Sequence, residues 1–204
     1  MANIATVDYN DIPKRTAQMK MLGRELNTEF VTAYRSVEEL HESWYGIRYN
    51  DLLKSFNNLI PSITEMLELV IGQVPFTLET IANNYAQADT GSRIVNAAQE
   101  SINKIIDLKM QNDIGMRFVT IKVQEVQKSI SNNFKNAKEK MNQIEAEYRK
   151  ITWQSEAAEA FKARFQQLKS EITTSLDNIE SDFTKLMNQT VDDIQRAEKA
   201  NTVD

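Results

Sequence analysis

The sequence predicts an all-α protein built from two tandem helix-turn-helix hairpins. We expect the two hairpins to cover each other's open faces as a four-helix bundle within one chain. Apolar residues recur every three or four positions over long stretches, as on one face of a helix. Glycine (5) and proline (3) are scarce among the 204 residues. The two tryptophans, Trp44 and Trp153, lie 109 residues apart (153 − 44), and each separates two such stretches.

The first predicted unit, residues 16–90, follows a short arm. Residues 1–15 include Pro13 and show no helical period, so we expect a loosely held N-terminal arm. An apolar stripe then runs from Met19 to Trp44 in steps of three and four. This stripe predicts the first long helix, which ends where the pattern stops at Trp44.

The second helix of this unit is predicted from a stripe that runs from Leu52 to Tyr85. Pro61 and Pro75 lie inside the stripe. Each proline removes a backbone hydrogen bond, so each should kink or break the helix. Gly91 is expected to end the helix, because glycine adopts the left-handed conformation that terminates helices.

The linker, residues 91–118, is predicted to be partly helical. Its apolar residues are spaced by three, four and three, which predicts a further short helix over Val95, Ala98, Ile102 and Ile105. We expect this helix to end before Gly115. Residues 91–116 number 26 and can carry the chain along the full length of a bundle.

The second predicted unit, residues 119–204, repeats the pattern. Its stripes run from Val119 to Tyr148 and from Phe161 to Ile194, with a break around Trp153. Subtracting 109 places apolar residues of the second helix on apolar partners: Phe161 on Leu52, Phe165 on Phe56, Leu168 on Leu59, Ile172 on Ile63, Leu176 on Leu67 and Ile179 on Val70. A generic helical bundle with coincident heptads is the alternative, and the aligned tryptophans favour a repeat.

The second unit lacks the prolines of the first. Ser170 and Thr184 stand in place of Pro61 and Pro75. We therefore expect its second helix to be the straighter of the two.

The two turns carry the motif W-x-G and a variant of it. In Trp44-Tyr45-Gly46 the indole can plug the open end of a hairpin, and glycine permits a tight reversal. In the second turn Ser155 replaces glycine two residues after Trp153. Ser155 is predicted to cap the following helix by accepting a backbone N–H.

With these turns, and with the run Ala157-Ala158-Glu159-Ala160-Phe161 after the second one, the chain resembles the WXG family. Its members are small helical-hairpin substrates and secretion partners of bacterial type VII (ESX) export systems. The resemblance covers residues 16–90 and 119–200, which implies a tandem form with two fused units. Family hairpins pair as antiparallel dimers, so the resemblance also implies a pseudo-dimer.

The resemblance implies an export signal of the form Y-x-x-x-[DE] after a second helix. Tyr85 and Asp89 match it, whereas Ile194 and Glu198 form a degenerate copy without the tyrosine. In an antiparallel pair Tyr85 would lie near Trp153, so the signal could combine both units. Alternatively, Tyr85 continues the apolar stripe as a core residue and Asp89 is an ordinary residue at a helix end.

Composition argues against several classes of function. The chain has no cysteine and one histidine, and it lacks the known catalytic and metal-binding motifs, so we expect no enzyme, no cofactor and no metal site. The net charge of −5 argues against a nucleic-acid partner. The N-terminus has no basic start followed by an apolar run, and we expect neither a signal peptide nor a transmembrane segment.

The resemblance implies a secreted substrate, or a partner or adaptor, of a type VII system that acts through protein contacts. Its partners would be the export ATPase and machinery, and possible further partners are another WXG-type protein or a larger secreted effector. It would leave the cytoplasm without a cleavable signal peptide. Two alternatives stay open: a helical membrane-active secreted protein, and a structural helical bundle.

Overall fold

The protein is all-α, with about 77% of its residues in four long helical segments and almost no strand. The structure is a computed structural model that describes residues 7–112, 114–153 and 155–201. Residues 1–6 of the predicted arm and 202–204 of the second unit lie outside the described residues.

The first segment is α1, Ile12–Glu39, which a 3₁₀ turn extends over Leu40–Glu42. The expectation of a loose arm is wrong for residues 12–15. Pro13 lies in the first turn of α1, where a residue without a backbone N–H costs no helical hydrogen bond. Ile12 is already buried in the core.

The second segment is divided at the positions that the prolines predict. After strand β1, Trp44–Tyr45, it consists of α2, Ile47–Asn57, then α3, Ile60–Leu67, a π-helical turn over Glu68–Gln73, and α4, Val74–Thr90. Pro61 and Pro75 each lie in the first turn of a new helix. The π-helical turn takes the chain out of the regular α register just before Pro75, whose ring would otherwise meet the carbonyl of Ile71.

The linker contains no helix in residues 92–112 and 114–119, so the predicted linker helix is wrong. Gly91 ends α4 with a φ of 78°, in the left-handed region, as expected. The chain then runs without regular structure over residues 92–112, which we call the strap. It re-enters regular structure at strand β2, Arg117–Phe118, which pairs antiparallel with β1.

The second unit contains α5, Thr120–Arg149, and α6, Glu156–Asn201. Helix α6 runs for 46 residues without interruption. This continuity confirms the expectation of a straight second helix where Ser170 and Thr184 replace the prolines.

The two units pack against each other along their lengths. Helix α1 makes its most extensive contacts with α5, and α6 packs on α2 and α3. Helix α1 runs antiparallel to α5, as three side-chain contacts show: Arg15 with Glu147, Glu29 with Asn136, and Lys140 with Glu25. Every residue of the six pairs matched across the repeat is buried in one hydrophobic core.

Candidate functional site

The first turn is closed by Trp44, whose side chain is completely buried. Its ring lies 5.5 Å from that of Phe118 on β2, 5.6 Å from that of Phe183 on α6 and 6.1 Å from that of Tyr49 on α2. One indole therefore joins the first turn, the end of the linker and the second unit. This burial agrees with the predicted role of a plug.

The glycine of W-x-G is required by the backbone. Gly46 has a φ of 122°, a conformation that side chains rarely permit, and it separates β1 from α2. A Cβ atom there would lie 3.6 Å from the carbonyl oxygen of Gly115, which also has a positive φ. The crossing of the turn and the linker therefore depends on two glycines.

A buried tyrosine ties the two helices together beside each turn. The Tyr49 hydroxyl donates to the carbonyl of Val37 at 2.8 Å, and the Tyr148 hydroxyl donates to the carbonyl of Ala158 at 3.0 Å. Burial raises the pKa of Tyr49 well above its usual range and that of Tyr148 to about 12. Both hydroxyls thus stay protonated donors near neutral pH.

The second turn is built differently from the first. Trp153 is only partly buried, although it packs against the core. Gln154 lies outside the described residues. The Ser155 hydroxyl oxygen accepts the backbone N–H of Ala158 at 3.1 Å, which confirms the predicted helix cap.

Tyr85 and Asp89 lie on the last turns of α4. Tyr85 is 39% exposed, so its interpretation as a core residue is wrong; Ala82 and Ala86 take the buried positions. Asp89 is exposed and accepts a hydrogen bond from the Tyr9 hydroxyl, which raises the pKa of Tyr9.

The degenerate copy lies near the end of α6. Ile194 is half-buried and Glu198 is exposed. Arg48, two residues after Gly46, contacts Asp193 at 3.4 Å. The structure therefore brings Ile194 to the end of the molecule that holds the Trp44 turn.

Tyr85 lies toward the opposite end of the molecule. The Thr16 hydroxyl donates to Glu79 of α4 at 2.9 Å, and Arg15 contacts Glu147, near the end of α5, at 3.1 Å. The last turns of α4 and the second turn of the chain therefore extend from the same region of α1. Tyr85 of the first half therefore lies toward the turn of the second half, and Ile194 of the second half lies toward the turn of the first.

A polar site that holds the strap was not predicted from the sequence. Three asparagines of the second segment each bond both backbone groups of one strap residue. Asn50 binds Gln111 at 2.7 and 2.9 Å, and Asn57 binds Leu108 with both distances at 2.8 Å. Asn83 binds Val95 at 2.8 and 3.1 Å. An asparagine within a helix carries no sequence signal for such a role.

These contacts show that the strap is almost fully extended. Asn57 and Asn83 are 26 residues apart on a helical segment, a distance of about 39 Å. Their partners Leu108 and Val95 are only 13 residues apart, and that length of chain reaches about 43–47 Å when fully extended. The strap therefore runs antiparallel to the second segment with little slack.

The other wall of the strap's groove is α1, which contributes positive charge. Lys20 lies 3.3 Å from the Glu100 carboxylate, and Arg24 also contacts it. Partial burial opposes ionisation of Glu100, but the hydrogen bonds from Arg24 and Lys20 outweigh it and lower its pKa. Lys20 also bonds Glu79 at 2.9 Å, and the second carboxylate oxygen of Glu79 is buried without a hydrogen-bond partner.

The strap backbone lies closest to the second segment at the π-helical turn. A Cβ atom at Gly72 would lie 2.9 Å from the carbonyl oxygen of Glu100, closer than van der Waals contact allows. Gly72 therefore lets the strap backbone lie directly on the second segment.

Two further properties bear on function. Across residues 7–112, 114–153 and 155–201, no group of three or more metal-ligating side chains is placed to hold a metal ion. By length and composition, the segment Ile47–Thr90 could cross a membrane, although half of its most apolar window is buried inside the protein. A buried core helix has the same composition, so the expectation of no transmembrane segment stays a prediction.

Helical hairpins occur in many unrelated proteins, so the fold alone does not identify a function. Comparison of the chain with models of protein families, with curated proteins and with solved structures finds no match.

Proposed function

We propose that this protein is a substrate, or a partner or adaptor, of a bacterial type VII secretion system and acts through protein contacts without catalysis. The observation that carries the proposal is the placement of Tyr85 and Asp89. They are exposed, four residues apart and on the last turns of the helix that follows a W-x-G turn. Side chains at this spacing lie on one helix face, where a partner can contact both.

We further propose that the two hairpins form one antiparallel four-helix bundle that replaces a dimer of single hairpins. The antiparallel contacts of α1 with α5 support this arrangement. The export signal would then combine Tyr85 and Asp89 with the turn at Trp153. Ile194 and Glu198, at the other end, would form the inactive copy.

In this proposal the protein leaves the cytoplasm without a cleavable signal peptide. The export ATPase would bind the end of the molecule that carries Tyr85. Another WXG-type protein or a larger secreted effector would bind the helix faces. Recognition of this kind uses side chains presented at helical spacing.

Export from the native bacterium tests the proposal. Tagged wild type, Tyr85→Ala and Phe76→Ala are assayed in the culture medium, with circular dichroism to establish folding. Phe76 is a matched control, since it is an aromatic residue of α4 with 37% exposure. We expect export of wild type and Phe76→Ala, and retention of folded Tyr85→Ala.

Two other results of this assay would have different meanings. Retention of the wild type in the cells would contradict secretion altogether. Export of Tyr85→Ala at the wild-type level would leave secretion standing and move the signal elsewhere, first to the segment around Ile194 and Glu198.

A membrane-active protein is the second candidate, favoured by the apolar character of Ile47–Thr90. Insertion would require this segment to leave the core, because half of its most apolar window is buried. Leakage of dye from liposomes at neutral and low pH tests this alternative. Leakage by the folded protein would favour it, and intact liposomes at both pH values would contradict it.

A further inference from the structure

We propose that the groove between α1 and the α2–α4 segment is a binding site for an extended peptide of a partner protein, and that the strap occupies it as an internal stand-in. The strap shows the chemistry that the groove accepts. The partner peptide would carry a carboxylate and, eight residues later, an apolar side chain, as Glu100 and Leu108 do. This inference does not depend on the route of export.

The main chain is the first feature that the groove recognises. Asn50, Asn57 and Asn83 each donate to the carbonyl and accept the N–H of one strap residue, and Asn83 also accepts the N–H of Ile94. A carboxamide that bonds both groups makes the two hydrogen bonds that a neighbouring β-strand would make to that residue. These bonds use only backbone atoms of the bound segment, so any extended segment of suitable length can form them.

Two side chains supply the specificity. Glu100 meets Lys20 and Arg24 of α1, so the groove is complementary to a carboxylate at this position. Within the strap, all of which the structure describes, Leu108 is the only buried side chain. A cavity of about 420 Å³ lies beside Leu108, with Val31 and Tyr34 on its apolar side and Arg35 and Glu38 on its charged side.

The strap is held mainly by polar contacts and buries little apolar surface. It has no helix or sheet of its own, and large apolar side chains on it face solvent, including Ile106 at 81% exposure. Segments with few buried apolar contacts open more readily than core helices. Its attachment at both ends gives it a high effective concentration, so a competing peptide binds best when the strap is weakened.

The test uses the full chain with a weakened strap, Glu100→Gln together with Leu108→Asp. The probe is a fluorescent synthetic peptide of residues 93–112 of the wild-type sequence, and binding is measured by anisotropy. We expect this peptide to bind the weakened chain at least about tenfold more tightly than the wild-type chain, whose own strap competes. A peptide carrying the same two changes is the control and should bind neither chain.

Adding Asn57→Ala to the weakened chain tests recognition of the main chain. Loss of the two bonds to Leu108 should weaken peptide binding by about tenfold. Circular dichroism establishes that each variant is folded. A folded weakened chain that binds the wild-type peptide no better than the wild-type chain does would overturn the proposal.

Hydrogen exchange on the unmodified protein gives a second readout if the weakened chain does not fold. The amides of Val95, Leu108 and Gln111 should exchange faster than those in the middle of α1, because the strap opens without global unfolding. Equal protection of the strap and of α1 would show that the strap is part of the core, and would also overturn the proposal.

Discussion

At the scale of single residues, Trp44 is the central packing residue of the first turn. Its ring contacts aromatic side chains from three different parts of the chain. Removal of a buried aromatic ring leaves a cavity as well as losing buried apolar surface. Removing each tryptophan side chain should therefore lower the free energy of unfolding by a different amount, because Trp153 is only partly buried.

We expect Trp44→Ala to lower the free energy of unfolding by about 3–5 kcal/mol, the usual cost of deleting a buried aromatic side chain. Urea denaturation followed by circular dichroism measures the loss. Trp153→Ala is the matched control and should cost less. Equal losses at the two positions would contradict the unequal burial of the two turns.

Acidic residues near the end of α5 make stability depend on pH. Hydrogen bonding from Lys169 lowers the pKa of Glu145, and hydrogen bonds from Lys150 and Arg15 lower that of Glu147. A carboxylate with a lowered pKa in the folded state contributes stability above its unfolded pKa. That contribution is lost as the pH falls through the lowered value.

The free energy of unfolding should therefore fall as the pH is lowered from the ordinary glutamate value of 4.5. Urea denaturation at a series of pH values below and above that point measures the change. Glu145→Gln should show a shallower fall, since it removes one of the titrating groups. The same steepness in the variant and the wild type would contradict the role of the Lys169 contact.

At the scale of elements, local pattern predicts the helices and fails at the strap. Apolar steps of three and four identify the stripes of α1, α5 and α6, and the prolines identify the breaks between α2, α3 and α4. Val95, Ala98, Ile102 and Ile105 show the same steps, yet the strap is extended. Its conformation is set by asparagines far away in sequence, which no local pattern reveals.

The start of α1 illustrates a second limit of sequence analysis. Pro13 argues against a helix in most positions, but it is well suited to the first turn. Only the tertiary burial of Ile12 shows that the helix has already begun. The sequence likewise does not predict that Trp44 is fully buried and Trp153 only partly buried. Similar motifs in the two turns meet different neighbours.

Gly72→Ala tests how tightly the strap lies on the second segment. Its Cβ atom would lie 2.9 Å from the Glu100 carbonyl oxygen, so the strap must move. We expect faster proteolysis within the strap and a loss of about 1–3 kcal/mol in the free energy of unfolding, typical of overpacking. Gln73→Ala, an exposed neighbour, is the control. Unchanged proteolysis in Gly72→Ala would contradict the close approach.

At the scale of the whole molecule, the most extensive helix contact crosses between the two halves of the chain. Helix α1 belongs to the first unit and α5 to the second. Each helix is apolar on one stripe and must bury that stripe against another helix. Neither half alone therefore covers its apolar surface.

We expect separately produced halves, residues 7–91 and 117–201, to lose helicity when alone and to regain it on mixing. Circular dichroism measures the helicity, and sedimentation measures association of the halves. The intact chain is the reference for full helicity. Two halves that are each fully helical and monomeric would contradict a shared core.

The nearly extended strap also connects the groove with the pairing of the two hairpins. The 13 residue steps from Val95 to Leu108 cover up to about 39 Å, close to the maximum reach of that length of backbone. A chain shortened there by several residues could no longer keep both the Asn83–Val95 and the Asn57–Leu108 contacts. Its second hairpin would still reach the first, but only with part of the strap released from the groove, so the length of the strap couples its seating in the groove to the pairing of the hairpins.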